Sequence, residues 1–225
     1  MCGRFVITLP QDAMARLFGA APDNDLPGAP DYNVCPTTRI AVVRQGPNGQ
    51  RRLSALRWGF LPSWYDTPTD GPLLINARAE TIADKPAFRE AARSRRCLIP
   101  ATGFYEWTRD ADTRLPWFIQ RRDGAPLALA GIWQSWTRGP DTLETCAIVT
   151  CAANETMSRL HHRMPVILDS DDWPLWLGEA GHGAARLMRP ASEDMLEMWR
   201  VTPRVNSNRA TGADLIDPID GETGA

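Results

Sequence analysis

The chain reads as an α+β fold: a single domain with a β-rich core of mostly antiparallel strands, barrel-like, and peripheral helices. Three observations carry that reading. Two extended runs, Arg39 to Arg44 and Arg51 to Trp58, flank Gly46-Pro47-Asn48-Gly49, which has the turn chemistry of a hairpin. Gly103 to Arg109, Pro116 to Arg121 and Leu127 to Trp136 follow one another as a meander, with Asp123-Gly124 as its tightest turn. Thr145 to Ala152 is an apolar run of strand length, the kind found inside a sheet. A chain of 225 residues, 43% hydrophobic and 23% charged, can bury one substantial core, and no composition break or internal repeat divides it. The domain is expected over 1–220, with 221–225 as a disordered tail.

The remaining elements fall into place between these runs. Arg4 to Leu9 reads as a short strand, and Pro10 to Phe18 as a helix with Pro in its first turn and Gly19 at its end. Ala20 to Pro36, rich in Pro, Gly, Asp and Asn, reads as a long loop. Trp58 to Tyr65 holds too much Gly, Pro and ring for a regular element. Asp66 to Pro72 reads as a flexible loop and Leu73 to Arg78 as extended chain. Pro86 to Arg95 reads as a helix and Arg96 to Pro100 as a buried strand. After His161 to Pro165 come an expected strand at Val166 to Leu168, helices near Asp171 to Leu177 and Ser192 to Met198, and an extended piece at Val201 to Val205.

Composition excludes several classes. No apolar run is long enough to span a bilayer and the N-terminus lacks a signal-peptide pattern, so a cytoplasmic protein without membrane contact is expected, as a monomer. Five cysteines, at 2, 35, 97, 146 and 151, form no Cys-x-x-Cys pair and argue against a disulfide framework or a zinc site, so no metal is expected, and all but Cys2 are expected in the core. The net charge of -2 gives no global attraction to nucleic acid, yet of 25 basic residues only Lys85 is a lysine. Side-chain amines are therefore nearly absent, and arginine suits bidentate phosphate contact.

That scarcity draws attention to Met1-Cys2-Gly3-Arg4-Phe5. Cys2 is small enough for Met1 to be removed in front of it, which leaves a thiol and an α-amine on one residue. Such a 1,2-aminothiol condenses with an aldehyde to a Schiff base, and the sulfur then closes a thiazolidine ring on the same carbon. The amine titrates at about 8 and a thiol at roughly 8.5, so both nucleophilic forms exist near neutrality. In Ile75-Asn76-Ala77-Arg78 the period of two puts Asn76 and Arg78 on one face, where an amide and a guanidinium can hold a sugar oxygen and a phosphate. Glu106 lies among Phe104, Tyr105 and Trp107; it is either a strand carboxylate turned to water or a desolvated one suited to passing protons. His161 and His162 sit together in a loop, as surface residues or as an acid and base.

Taken in series, Met1 to Phe5, Tyr32-Asn33-Val34 with Pro36, Trp58-Gly59-Phe60 with Pro62, Ile75 to Arg78 with Glu80-Thr81, Gly103 to Trp107, and His161-x-Arg163-Met164-Pro165 resemble the motifs of the SOS response-associated peptidase family of abasic-site processing proteins. Order and rough spacing match along nearly the whole chain. The resemblance implies binding of single-stranded DNA containing abasic sites, capture of the lesion's aldehyde by Cys2 as a thiazolidine crosslink, and associated strand-cleaving and crosslink-reversal activity. No cofactor is implied. It assigns Cys2, Asn76, Glu106 and His161 to catalysis, and Arg4, Arg78 and Arg163 to phosphates. Trp64 and Tyr65 become a stacking wedge, beside a loop at 66–72 that is longer than expected. Two other readings stay open at this point. One is a cysteine-type peptidase with Cys2, His161 and Glu106 as nucleophile, base and orienting group. The other is a non-catalytic single-stranded DNA-binding module with Cys2 idle. Only the aminothiol requires the free terminus.

Overall fold

The computed structural model describes residues 2–111 and 113–223; Met1, whose removal the aminothiol reading requires, lies outside them. In chain order the elements are β1 (Phe5–Ile7), α1 (Gln11–Phe18), β2 (Ala21–Pro22), β3 (Asp31–Val34), β4 (Arg39–Gln45), β5 (Arg51–Trp58), β6 (Asn76–Arg78), α2 (Arg89–Ser94) and β7 (Arg96–Ala101). They continue with β8 (Gly103–Asp110), β9 (Thr113–Arg121), β10 (Leu127–Arg138), β11 (Asp141–Ala152), α3 (Glu155–Ser158), β12 (Arg163–Pro165), α4 (Trp173–Leu177), β13 (Leu196–Val201) and β14 (Pro218–Thr223).

Five strands close a barrel in the order β11-β10-β7-β4-β5 and back to β11. Every pairing around it is antiparallel except the closing one, β5 to β11, which is parallel through Arg57–Thr145 and Trp58–Cys146. A second, fully antiparallel sheet runs β14-β13-β9-β8-β1-β3. Strand alternation in this sheet separates two cores: Phe5 and Phe104 belong to the large one shared with the barrel, whereas Val6 and Tyr105 join Phe118, Val201, Val205 and Leu215 on the opposite face. Helix α1 buries Met14 and Phe18, one turn apart, and stops at Gly19 in the left-handed conformation. Phe18 stacks on Trp173 of α4 at 4.5 Å between centroids.

The structure corrects several expectations. The third strand of the meander leaves it: β9 pairs with β13, and β10 joins the barrel between β7 and β11. The loop at 20–36 contains β2 and β3, which supply edges to β5 and β1. Where a helix was expected at 192–198, β13 pairs with β9 from Leu196 onward, because Leu196 and Met198 alternate into the large core once a strand edge is offered, while Val201, beyond an irregularity in the strand, enters the smaller one. The extended piece at 201–205 turns into a 3-10 helix at Pro203–Asn206, whose Arg204 N–H is capped by Thr202 Oγ1. The strand expected at 166–168 starts earlier, as β12, leaving Ile167 a bridge to Leu129. The expected tail is strand as far as residue 223, held by the Trp199–Thr223 pairing; 224 and 225 lie outside the described residues. Cys97, Cys146 and Cys151 are core thiols as expected, but Cys35 is only half-buried, and no disulfide joins the five. No helix among the described residues is long and apolar enough to cross a membrane.

Candidate functional site

Strand β11 is twelve residues long and only its first part is needed to close the barrel. Its C-terminal part runs on between two short strands: β6 lies parallel on one side, pairing Asn76 with Ile148 and Arg78 with Thr150, and β12 lies antiparallel on the other, pairing Arg163 with Ala152. Residues 76–78 and 161–165, far apart in sequence, are thereby brought to one end of one strand. Strand β1 delivers the N-terminus to the same place, and β8 beside it delivers Glu106.

Four side chains converge there. Asn76 Nδ2 donates to the Cys2 carbonyl oxygen at 3.0 Å, while its Oδ1 is buried without a partner among the described residues. Cys2 is fully buried. Burial, and after it the nearby Glu106 carboxylate, push its thiol well above the ordinary range. Glu106 is 3% exposed, which decides between its two readings: by alternation it shares the face of Phe104 and points into the large core, and it is not turned to water. His161 is held below the ordinary imidazole value of 6.5 by burial, against an opposing pull from Glu106. Its Nδ1 accepts the Arg163 backbone N–H at 2.9 Å, so the neutral ring carries its proton on Nε2. The ring of His162 stacks on that of His161, with centroids 4.3 Å apart. Neighbouring side chains of an extended loop would diverge; here the chain is turned, with the His161 N–H bonded to the Met157 carbonyl.

The expected phosphate and stacking residues fare unequally. Arg78 is exposed, and its guanidinium has no hydrogen-bond or ion-pair partner among the described residues. Arg4 is half-buried on the other face of the sheet. Its Nη1 donates to Asn33 Oδ1 at 2.5 Å and to the Val205 carbonyl at 3.1 Å, and its guanidinium lies 5.9 Å from the Trp107 ring centroid. Arg163 is a correction. It is buried and paired in bidentate fashion with Glu80 at 2.7 and 2.9 Å, with further bonds to Thr150, so it fastens β12 to β6 and β11 and is not available to a phosphate. Trp64 is 53% exposed and meets Tyr65 edge to face at 6.4 Å. Both follow Leu61, whose N–H bonds Thr145 Oγ1, three residues or about 10 Å along β11 from Ile148. The 66–72 loop, expected to be flexible, is folded on itself: the Asp70 carboxylate accepts from the Asp66 and Thr67 N–H groups and the Thr67 hydroxyl.

Sequence reasoning passed over two residues that build this site. Asn33 anchors Arg4 and itself donates to the Ser207 and Ala210 carbonyls. Glu80 neutralises Arg163 across β11. Both stood inside the motif series, but only the tertiary pairing gives them a task. Glu80→Ala should destabilise the protein by about 1–3 kcal/mol, short of the ~3–5 of a fully buried pair because the Glu80 side chain is 50% exposed. Arg163 holds the Glu80 carboxyl below its ordinary value. The contribution is therefore present above the unfolded-state value of about 4.3 and is lost as pH falls through the folded-state value. Thermal unfolding of both proteins at neutral and strongly acid pH should show the difference shrinking in acid. Among the described residues no group of three His, Cys, Asp or Glu side chains could hold a metal ion.

The family model for SOS response associated peptidase matches residues 1–208. Abasic site processing protein YoaM of Bacillus subtilis (strain 168) is 40% identical over 226 residues, covering 96% of this chain and 98% of that protein. Abasic site processing protein YedK of Escherichia coli (strain K12) is 31% identical, covering 97% of this chain and 100% of YedK. Abasic site processing protein HMCES of Gallus gallus is 29% identical, covering 98% of this chain and 78% of HMCES. A crystal structure of a Bacteroides thetaiotaomicron protein superposes with a TM-score of 0.85 at 23% identity, covering 97% of this chain and 100% of that one, a likeness of fold.

Proposed function

Because this chain belongs to the SOS response-associated peptidase family, we propose that it processes abasic sites, binding single-stranded DNA and capturing the lesion's open-chain aldehyde on the N-terminal Cys2. The observation that carries the reading is that an amide and a buried carboxylate meet at Cys2, with an imidazole close to that carboxylate. With Met1 removed, the Cys2 amine adds to the aldehyde and water leaves, giving a Schiff base. Sulfur then adds to the C=N carbon, its proton passes to nitrogen, and the ring is closed. Glu106 suits the proton transfer, since it stands close enough to raise the Cys2 thiol and can take the S–H proton as the C–S bond forms. Asn76 grips the Cys2 carbonyl and offers its buried Oδ1 as an acceptor for the amine or the sugar hydroxyl. The His161 Nε2–H is the donor for opening the closed sugar, and the ring assists loss of the 3′ phosphate from the Schiff base. Closing the ring within one residue replaces a bimolecular step, worth an effective molarity of ~10⁵ M or more.

The peptidase alternative needs only the Cys2 thiol and tolerates a blocked amine, whereas the aminothiol reading requires the free terminus. Intact mass after incubation with an abasic oligonucleotide tests the proposal. The protein should begin at Cys2 and gain the mass of the oligonucleotide less one water, with no reductant added. A protein that retains Met1 and still forms the adduct would refute it.

On the binding side, Arg78 and the Trp64–Tyr65 pair are the phosphate contact and the stacking platform, and Arg4 supports the site from beneath. Arg78→Ala should weaken binding of undamaged single-stranded DNA and reduce the slope of log affinity against log salt by about 0.7, the share of one phosphate. Arg4→Ala should change that slope less, and should lower stability by about 1–3 kcal/mol because Asn33 and the Val205 carbonyl lose their donor. Salt titrations and thermal unfolding of the two variants decide it; an Arg4→Ala slope change as large as that of Arg78→Ala would return Arg4 to the DNA.

A further inference from the structure

Outside this site, a cavity of 380 Å³ opens between α2, α4 and residues 182–188. It is large enough for a small organic ligand. Its floor is apolar, formed by Ile82, Trp176 and Met188, and its walls carry Arg89, Arg93, Arg96 and His182 with no carboxylate among the lining residues. Arg96 is occupied within the protein: it donates through Nη1 to the Ala92 and Arg93 carbonyls at 3.0 and 2.6 Å and through Nε to the Trp176 carbonyl, which ties the end of α2 to α4. Arg89 and Arg93 are different. Both are exposed, and neither guanidinium has a hydrogen-bond or ion-pair partner among the described residues. They stand at i and i+4 on α2, so their side chains rise from one face about 5–6 Å apart, comparable with the spacing of successive phosphates along a strand.

The cavity also lies within reach of the site. From Arg78 the chain reaches α2 through linked turns, Thr81 N–H to the Arg78 carbonyl, Lys85 N–H to the Thr81 carbonyl and Arg89 N–H to the Lys85 carbonyl. Each turn spans less than about 7 Å, so Arg89 lies within roughly 20 Å of Arg78, a reach of a few nucleotides. An inorganic anion would leave the apolar floor bare, and an apolar ligand would leave two cations unanswered.

We propose that this cavity is a second nucleotide subsite, holding one nucleotide of the strand that flanks the lesion with its base on the apolar floor and its two phosphates on Arg89 and Arg93. The inference rests on the single-stranded DNA reading above. Fluorescence anisotropy with a long undamaged oligothymidylate tests it without any crosslinking. Arg89→Ala combined with Arg93→Ala should lower affinity about tenfold or more at moderate salt and reduce the salt slope by about 1.4, two phosphates at 0.7 each. Ala185→Trp, which narrows the cavity without changing charge, should weaken binding as well. Unchanged affinity and slope in the double variant overturn the proposal. Loss in the double variant with wild-type binding by Ala185→Trp also overturns it, since charge alone and not the cavity would then act. Thymidine 5′-monophosphate supplies the remaining arm: if it binds and is lost in the double variant while oligothymidylate binding is unchanged, the cavity serves a free nucleotide and the strand reading falls. Adduct formation at saturating abasic strand should be the same in all these proteins. A wild type that binds the undamaged strand through Arg89 and Arg93 yet forms no adduct would sink the aminothiol chemistry and leave this subsite standing.

Discussion

Cys2→Ser should abolish the heat-stable adduct with abasic single-stranded DNA while leaving affinity for undamaged DNA near that of the wild type. Serine keeps the small residue that permits Met1 removal and keeps the amine, so a Schiff base still forms and is trapped by borohydride. What is lost is the sulfur that closes the ring. The hydroxyl is a far weaker nucleophile than sulfur, and a ring-closing step that enjoys an effective molarity of ~10⁵ M or more has no substitute elsewhere in a chain with a single lysine. Denaturing gels with and without borohydride, read beside anisotropy, separate the outcomes. A Cys2→Ser adduct as resistant to heat as the wild type would mean that the thiazolidine is not the product.

The second large effect belongs to His161. His161→Ala should lose strand cleavage by about 10²–10⁴, the usual worth of a positioned acid or base, and slow the approach to the crosslink, whereas His162→Ala should leave both nearly intact. The two rings are stacked, so orientation alone does not distinguish them; the hydrogen bond from the Arg163 N–H does, because it fixes the tautomer and aim of His161. The sign of the pH dependence follows from burial. His161 sits below 6.5, so at neutral pH it is uncharged, and the imidazolium is populated only as pH falls beneath that value. Cleavage that uses the imidazolium therefore rises toward acid. Glu106 pulls His161 upward, so Glu106→Gln should displace this limb to still lower pH, and it should slow crosslink reversal, which needs an acid at sulfur or nitrogen. Single-turnover profiles of the wild type, His161→Ala, His162→Ala and Glu106→Gln check all of this. A larger loss at His162 than at His161 would put the acid on the wrong ring.

Local chemistry by itself determined much of this protein. The hairpin turn at 46–49, the helix stop at Gly19 and the apolar run that becomes β11 are each written within a few consecutive residues, as is the cysteine directly behind Met1, and turn preference and alternation act at that range. The period of two at Asn76 and Arg78 was legible for the same reason. Partner choice was not. The sequence of β10 suits a third meander strand as well as a barrel strand, and Ser192 to Met198 suits a helix until β9 offers an edge to its last residues; in both cases the decision lies in which surface the rest of the chain presents. The same holds for charge. Arg78 and Arg163 look alike as sequence, but β12 carries Arg163 inward to Glu80 and Thr150 whereas β6 leaves Arg78 in solvent. Glu106 could have faced water or core until β8 was seen to put it on the face of Phe104. Only the tertiary structure decides such matters, because the cost of burying a charge is set by what stands opposite it, and that neighbour is supplied by residues distant in the chain.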